Sequence, residues 1–331
     1  MHAPDFWWRS GTGSLLTPLA AVYGAVAGLR MQWPGRRAGL PVICVGNLTV
    51  GGAGKTPTAL AVAQLLLAAH ERPFFLSRGY GGRLAGPIRV NPALHKAGDV
   101  GDEPLLLARL APTIVARNRV AGARLAQFAG GSVLVMDDGL QNPALVKDLA
   151  VIVVDGRRGI GNGHIIPAGP LRAPLWLQLD AAQALIVVGA PDRAGPLVER
   201  ARRRGLALFH ARLEPDRGVI AALRGRKVLA FAGIGDPEKF FASLTAAGVA
   251  IAERASFDDH HRYSTAEAGE LLARAQAKNL MLVTTEKDQM RIAGEAELEA
   301  LAARTSALPV QLAIEEADEF RRLVLNAIKR A

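Results

Sequence analysis

The chain has 331 residues, half of them hydrophobic, which is room for two α/β units with cores of their own. A single cysteine, Cys44, excludes an internal disulfide framework and suits a reducing compartment. The net charge of +10 asks for an anionic partner, but aromatics at 5% and scattered arginines argue against nucleic acid and for a membrane surface or a phosphorylated lipid.

The membrane reading rests on the N-terminus. Phe6-Trp7-Trp8-Arg9 is an aromatic-basic cluster of the kind found at a lipid headgroup boundary. The stretch 15–29 is apolar, rich in small residues and free of acidic ones, with Arg30, Arg36 and Arg37 behind it. A spanning helix needs about 20 strongly apolar residues, and this stretch is shorter and interrupted by Pro18. Residues 1–35 therefore read as an interfacial membrane helix. A signal peptide and a helix packed on the protein's own core are the competing readings, and a nucleotide site downstream argues against the first.

That nucleotide site is the strongest signal in the chain. Pro41-Val42-Ile43-Cys44-Val45 reads as a buried parallel strand, with Cys44 as a small apolar residue within it. Thr49-Val50-Gly51-Gly52-Ala53-Gly54 follows as a glycine-rich loop, and Lys55-Thr56 opens a helical run to residue 70. Strand, glycine loop, Lys-Thr and helix make the phosphate cradle of P-loop proteins, in which backbone N–H groups and a helix N-terminus face the phosphates. Lys55 is expected to reach the β- and γ-phosphates and the Thr56 hydroxyl to hold Mg²⁺. The general pattern has glycine where this chain has Thr49.

Strand-like segments at 73–77, 112–115, 132–136, 150–154, 184–188 and 207–210 alternate with helix-like ones at 105–110 and 119–128. This rhythm predicts a parallel sheet with helices on both faces. A linker near 213–218 precedes a second α/β unit with strands at 228–232 and 280–284 and helices at 238–247 and 319–329. The expected architecture is a P-loop NTPase-like parallel sheet domain (36–215) with a second, smaller α/β domain (216–331) that contributes to the active-site cleft, and an N-terminal membrane-associated helix. Gly233-Ile234-Gly235 lacks the third glycine of a dinucleotide fingerprint.

Several clusters carry candidate chemistry. Asp137-Asp138 ends an apolar strand, where carboxylates of a P-loop fold face the phosphates and can hold Mg²⁺. Asp102, in Gly101-Asp102-Glu103-Pro104, sits at a helix start, as an N-cap would. His260-His261, after Asp258-Asp259, lacks the cysteines or spacing of a zinc site and suits a general base or its partner. Glycine-arginine loops at 77–83, 117–119, 157–163 and 167–172 follow strands, where ligands bind in open α/β sheets.

Taken together, these motifs resemble the tetraacyldisaccharide 4′-kinases, the lipid A 4′-kinases of Gram-negative bacteria. The resemblance is carried by Val45-Gly46-Asn47, Thr49 to Pro57, Ser77-Arg78-Gly79-Tyr80-Gly81, Gly101-Asp102-Glu103-Pro104 and Asp137-Asp138-Gly139-Leu140-Gln141. It continues through Gly161-Asn162-Gly163, Pro167-Ala168-Gly169-Pro170-Leu171-Arg172, Asp259-His260 and Thr284-Thr285-Glu286-Lys287-Asp288, all in order over 42–288. Thr49 agrees with this family's loop, and Asn142 stands where the family would have histidine.

The resemblance implies transfer of the ATP γ-phosphate to the 4′-hydroxyl of tetraacyldisaccharide 1-phosphate, giving lipid IVA, on the cytoplasmic face of the inner membrane as a peripheral or monotopic enzyme. It implies Asp102 and His260 as the catalytic pair, His260 being preferred to His261 for its Asp-His step. Gly51, Gly52, Ala53, Gly54, Lys55 and Thr56 would bind ATP. Thr56, Glu103 and Asp137 or Asp138 would hold Mg²⁺. Arg78, Arg119, Asn162 and Arg172 would bind substrate or phosphates. A P-loop regulatory or metal-insertion GTPase is the rival reading; Thr285-Glu286-Lys287-Asp288 superficially matches its guanine-reading loop, with the wrong spacing.

Overall fold

The computed structural model describes residues 4–9 and 14–329. Thirteen strands form two sheets among the described residues. In chain order they are β1 (Val42–Gly46), β2 (Pro73–Ser77), β3 (Ile88–Arg89), β4 (Thr113–Val115), β5 (Val133–Asp137), β6 (Leu149–Asp155), β7 (Ala184–Val188) and β8 (Ala207–Pro215). There follow β9 (Lys227–Ala232), β10 (Ala250–Ser256), β11 (Met281–Thr285), β12 (Thr305–Leu308) and β13 (Val310–Ile314). Among the helices are α1 (Thr17–Met31) and α5 (Ala317–Lys329), which pack on the first sheet and its loops, and α2 (Lys55–Ala68), α3 (Asp102–Leu107) and α4 (Glu286–Ile292), which carry the candidate site residues.

The first sheet runs β13-β8-β7-β6-β1-β5-β2-β4-β3 and is parallel except at its two edges, where β13 and β3 pair antiparallel. Strands β1, β2, β5, β6 and β7 are buried along their whole length, which is why they read as unbroken apolar runs. On one face α2 lays Ala59, Val62, Ala63 and Leu66 against Ile43, Val45, Phe75 and Val135. The other face buries Cys44, Leu76, Leu134, Met136 and Ile152. Strand β1 lies between β5 and β6, with Val45 beside Asp137, so the loop leaving β1 and the carboxylates leaving β5 emerge together at the carboxyl end of the sheet.

The second sheet, β10-β9-β11-β12, is wholly parallel. The chain does not stay with it to the end. Strand β13 returns to pair with β8, and α5 buries Phe320 and Val324 in the core beneath α2. The stretch 216–331 is therefore not one continuous unit; the apolar face of α5 covers the first sheet.

Helix α1 is two-faced. Ala20, Gly24 and Gly28 are buried, with Gly24 against Ile165 and Gly28 against Leu177 and Pro174. Leu19, Val22, Tyr23, Val26 and Leu29 are exposed along the rest of it. No helix among the described residues is long and apolar enough to cross a membrane. The aromatic cluster before it differs from the expected lipid anchor. Trp7 is buried and its Nε1 donates to the Pro167 carbonyl at 3.0 Å, while Arg158 stacks over Trp8. A tryptophan has an N–H to satisfy once buried, and the 162–170 loop supplies the acceptor.

Candidate active site

The loop expected to cradle phosphate runs between β1 and α2. Gly54 caps α2 in the left-handed region at φ 93°, which a side chain would strain. Around Gly51 and Gly52 a side chain would meet nothing within 4 Å, so the loop borders open space. The loop is pinned from behind. Thr49 pairs in a β-bridge with Leu171, Val50 N–H donates to the Pro170 carbonyl, and Arg172 Nε donates to the Thr49 carbonyl at 3.0 Å. Thr49 thus takes part in an extended pairing, where a β-branched residue is at home and glycine brings no advantage.

Beside the cradle, the Thr56 hydroxyl donates to Asp137 Oδ2 at 3.3 Å. Burial raises the Asp137 carboxyl, and its buried Oδ1 has no hydrogen-bond partner. Asp138 takes a left-handed backbone at φ 59° and turns its carboxylate to Arg172 Nη1 (2.7 Å) and Lys55 Nζ (3.8 Å). Burial works against the Asp138 charge, but Lys55 and then Arg172 outweigh it and hold the pKa at about 2. Burial lowers the Lys55 ammonium, with Asp138 opposing the shift.

A second group of side chains faces this one. Gly101, at φ 93° with the Tyr80 carbonyl 2.5 Å from where a Cβ would sit, turns the chain into α3 and presents Asp102 and Glu103. His260 comes from the second sheet, on the turn after β10, and is also left-handed at φ 59°. A non-glycine residue held in that region is uncommon and clusters at functional sites. His260 Nδ1 lies 3.5 Å from Asp102 Oδ1, and its ring meets Tyr80 edge-on at 5.0 Å. Donor atoms of Asp102, Glu103 and His260 all lie within 4.8 Å of one another. His261 faces elsewhere: its Nε2 pairs with Glu267 at 3.0 Å and its ring stacks on Phe257.

Helix α4 supplies two cations. Lys287 Nζ contacts Glu103 Oε1 at 2.7 Å, and Arg291 holds Asp102 Oδ2 through Nε (2.9 Å) and Nη2. Burial would raise the Asp102 carboxyl, but hydrogen bonds with Glu103 and His260 and the charge of Arg291 hold it well below the usual carboxylate range. Asp102 in turn raises His260, against its own burial. Burial pushes Glu103 up to about 7, with Lys287 opposing and Asp102 adding to the rise. Breaking a buried pair such as Arg291–Asp102 leaves an uncompensated charge, at a cost of about 3–5 kcal/mol.

The remaining sequence-derived candidates divide. Arg172 joins the cradle as described. Arg119 is buried, donates to the Ala116 carbonyl at 3.1 Å, and acts on the Asp137–Asp138 pair through its charge. Arg78 is exposed at the end of β2. Asn162 binds its own loop, donating to the Ala168 carbonyl and accepting from His164 N–H. Neither Lys287 nor Arg291 is among the candidate site residues that the sequence offers. Lys287 lies in a quoted motif, but Arg291 is separated from Asp102 by 189 positions and carries no local signal.

The tetraacyldisaccharide-1-P 4'-kinase family model matches residues 12–329. The tetraacyldisaccharide 4'-kinase of Rhodopseudomonas palustris strain BisA53 is 53% identical over 332 residues, covering 100% of this chain and 97% of that protein. That of Methylobacterium sp. strain 4-46 is 54% identical over 317 residues, covering 95% and 93%. The crystal structure of "apo" form LpxK from Aquifex aeolicus in complex with ATP superposes with a TM-score of 0.74 at 26% identity, covering 96% of this chain and 99% of that one. Family model and relatives agree over essentially the whole length, and the chain belongs to the tetraacyldisaccharide-1-P 4'-kinase family.

Proposed function

We propose that the chain is a lipid A 4′-kinase that transfers the γ-phosphate of ATP to the 4′-hydroxyl of a tetraacyldisaccharide 1-phosphate. Family membership supports the activity. The observation that carries the residue assignment is the 3.5 Å approach of His260 to Asp102 across two sheets, next to the phosphate cradle.

The sugar hydroxyl oxygen attacks the γ-phosphorus, the bond to the β,γ-bridging oxygen breaks, and ADP leaves. The hydroxyl proton passes to Asp102, with His260 orienting the carboxylate and sharing its charge. An ionised carboxylate of low pKa is adequate here. Phosphoryl transfer has a loose transition state in which positioning and charge stabilisation dominate over proton abstraction. Residues 51–56 hold the phosphates through backbone N–H groups, and Lys55 stabilises charge on the transferring group.

The residues fit a magnesium ion, since Asp137 Oδ1 is buried without a hydrogen-bond partner beside the Thr56 hydroxyl. When bound, the ion would neutralise charge on phosphate oxygens, and Thr56 and Asp137 would hold it, with Glu103, whose Oε1 is paired with Lys287, as the third candidate. Asp138 is instead committed to Lys55 and Arg172. Arg78, exposed at the rim, serves the substrate's anionic groups, while Asn162 shapes the loop that braces the cradle. The exposed apolar ridge of α1 seats the enzyme on an anionic membrane surface, the inner membrane's cytoplasmic face, where its acylated substrate resides.

The GTPase alternative is not favoured. Thr285 caps α4, Lys287 is paired with Glu103, and Asp288 is buried on Arg291, Tyr263 and Gly233, so the lysine and the aspartate that a guanine-reading loop would use are both engaged. The test is incubation with ATP, Mg²⁺ and detergent-dispersed disaccharide 1-phosphate. The expected result is product heavier by one phosphoryl group, made from ATP in preference to GTP. Nucleotide hydrolysis without lipid phosphorylation would overturn the reading.

A further inference from the structure

We propose that Arg291 is the positioning residue of the acid–base pair, fixing both Asp102 and His260 in reacting orientation; this rests on the reading of Asp102 as proton acceptor. Its guanidinium is buried and all three nitrogens are used. Nε and Nη2 both take Asp102 Oδ2, which leaves Oδ1 turned toward His260 Nδ1 at 3.5 Å. Nη1 donates to the Gly233 carbonyl and to Asp288 Oδ1, 2.7 Å away. The same Gly233 carbonyl accepts the His260 backbone N–H at 3.1 Å, within the turn that holds His260 left-handed. One planar group therefore sets the carboxylate directly and the imidazole through the backbone that carries it.

The clamp is itself rigid. Asp288 is fully buried and also accepts from Tyr263 Oη (3.0 Å), Thr285 Oγ1 (2.7 Å) and Gly233 N–H (3.1 Å). A rigid base under Arg291 has a use. Asp102 opens α3 directly after a left-handed glycine, and its carboxylate needs an external partner to keep one oxygen toward the histidine. A lysine at 291 could supply charge, but a single ammonium cannot make the paired contact with one carboxylate and also reach the Gly233 carbonyl and Asp288 in a fixed plane. Misplacing a reacting group by about 1 Å costs on the order of 100-fold in rate, so loss of this geometry should fall on turnover. Arg291 touches no part of the cradle described above, so nucleotide binding should be spared.

The experiment measures kcat, the KM for ATP and the thermal midpoint for Arg291→Lys, Arg291→Ala and Asp102→Asn. Arg291→Lys keeps the charge and most of the volume, and so tests the idea even if the alanine variant does not fold. Both Arg291 variants are expected to lose about 30-fold or more in kcat with the KM for ATP within about threefold of the parent. Millimolar guanidinium should raise the kcat of Arg291→Ala and leave that of Asp102→Asn unchanged. A folded Arg291→Lys with kcat within about threefold of the parent overturns the proposal, as does a kcat loss matched by an equal loss of ATP affinity. Parental kcat in Asp102→Asn would instead overturn the reading of Asp102 itself, whatever Arg291 does.

Discussion

The two sides of the proposed active site are built in opposite ways. The proposed phosphate cradle comes from one short piece of chain, β1 through the start of α2, joined by Asp137 and Asp138 from the neighbouring strand. The proposed acid–base side is assembled from three remote segments: Asp102 and Glu103 on α3, His260 after β10, and Lys287 with Arg291 on α4. Holding phosphate is a property of local backbone geometry and a helix end, whereas holding one carboxylate oxygen toward a histidine needs a buried ionic framework spanning two sheets.

This difference predicts different signatures when each side is broken. The largest effect is expected at the cradle. Lys55→Ala should lose about 10³-fold in kcat and weaken ATP binding while the fold survives. Near-normal turnover in a folded variant would remove the cradle assignment. On the other side, Asp102→Ala and His260→Ala should each lose about 10²-fold in kcat with ATP binding retained by calorimetry. His261→Ala should be milder, because that ring serves Glu267 and Phe257. Loss of ATP binding in the Asp102 variant would erase the distinction between the two sides.

Away from both, the paired change Val22→Glu with Val26→Glu on the exposed ridge of α1 should release severalfold more protein from anionic vesicles, leaving ATP binding intact. Unchanged co-sedimentation would mean that α1 serves only as packing. The smallest effect concerns Cys44, within β1. Cys44 is fully buried and burial pushes its thiol up to about 11, so at pH 8 the native protein should react with a thiol reagent at least about 10-fold more slowly than the unfolded chain. Equal labelling rates would show that β1 is not closed beneath the cradle.

How far each side could be read from sequence follows from the same contrast. Strand, glycine loop and Lys55-Thr56 are contiguous, so their chemistry and spacing are visible together. Asp137 is visible because a fully buried strand ends on it. Thr49, an exception to the general pattern that the family resemblance anticipates, has its physical reason in the bridge to Leu171. Asp102 looks like a helix cap, and its role in the sequence reading came from family resemblance alone. Arg291 and Lys287 sit on a seven-residue helix whose partners lie at 102 and 103, and no periodicity records such a contact. The return of β13 and α5 to the first sheet was hidden likewise, since an edge strand and an amphipathic helix do not say which sheet they join. Strand β10 carries little sequence signal because only one of its faces is covered, and it includes Glu253 and Arg254.

The most direct test of a catalytic pair assembled across two sheets is the kcat cycle of Asp102→Ala, His260→Ala and the double variant at saturating ATP. If carboxylate and imidazole act as one unit, the double variant should fall within about threefold of the poorer single variant. A double variant showing the full product of the two separate losses would contradict the pair and leave Asp102 and His260 as independent contributors.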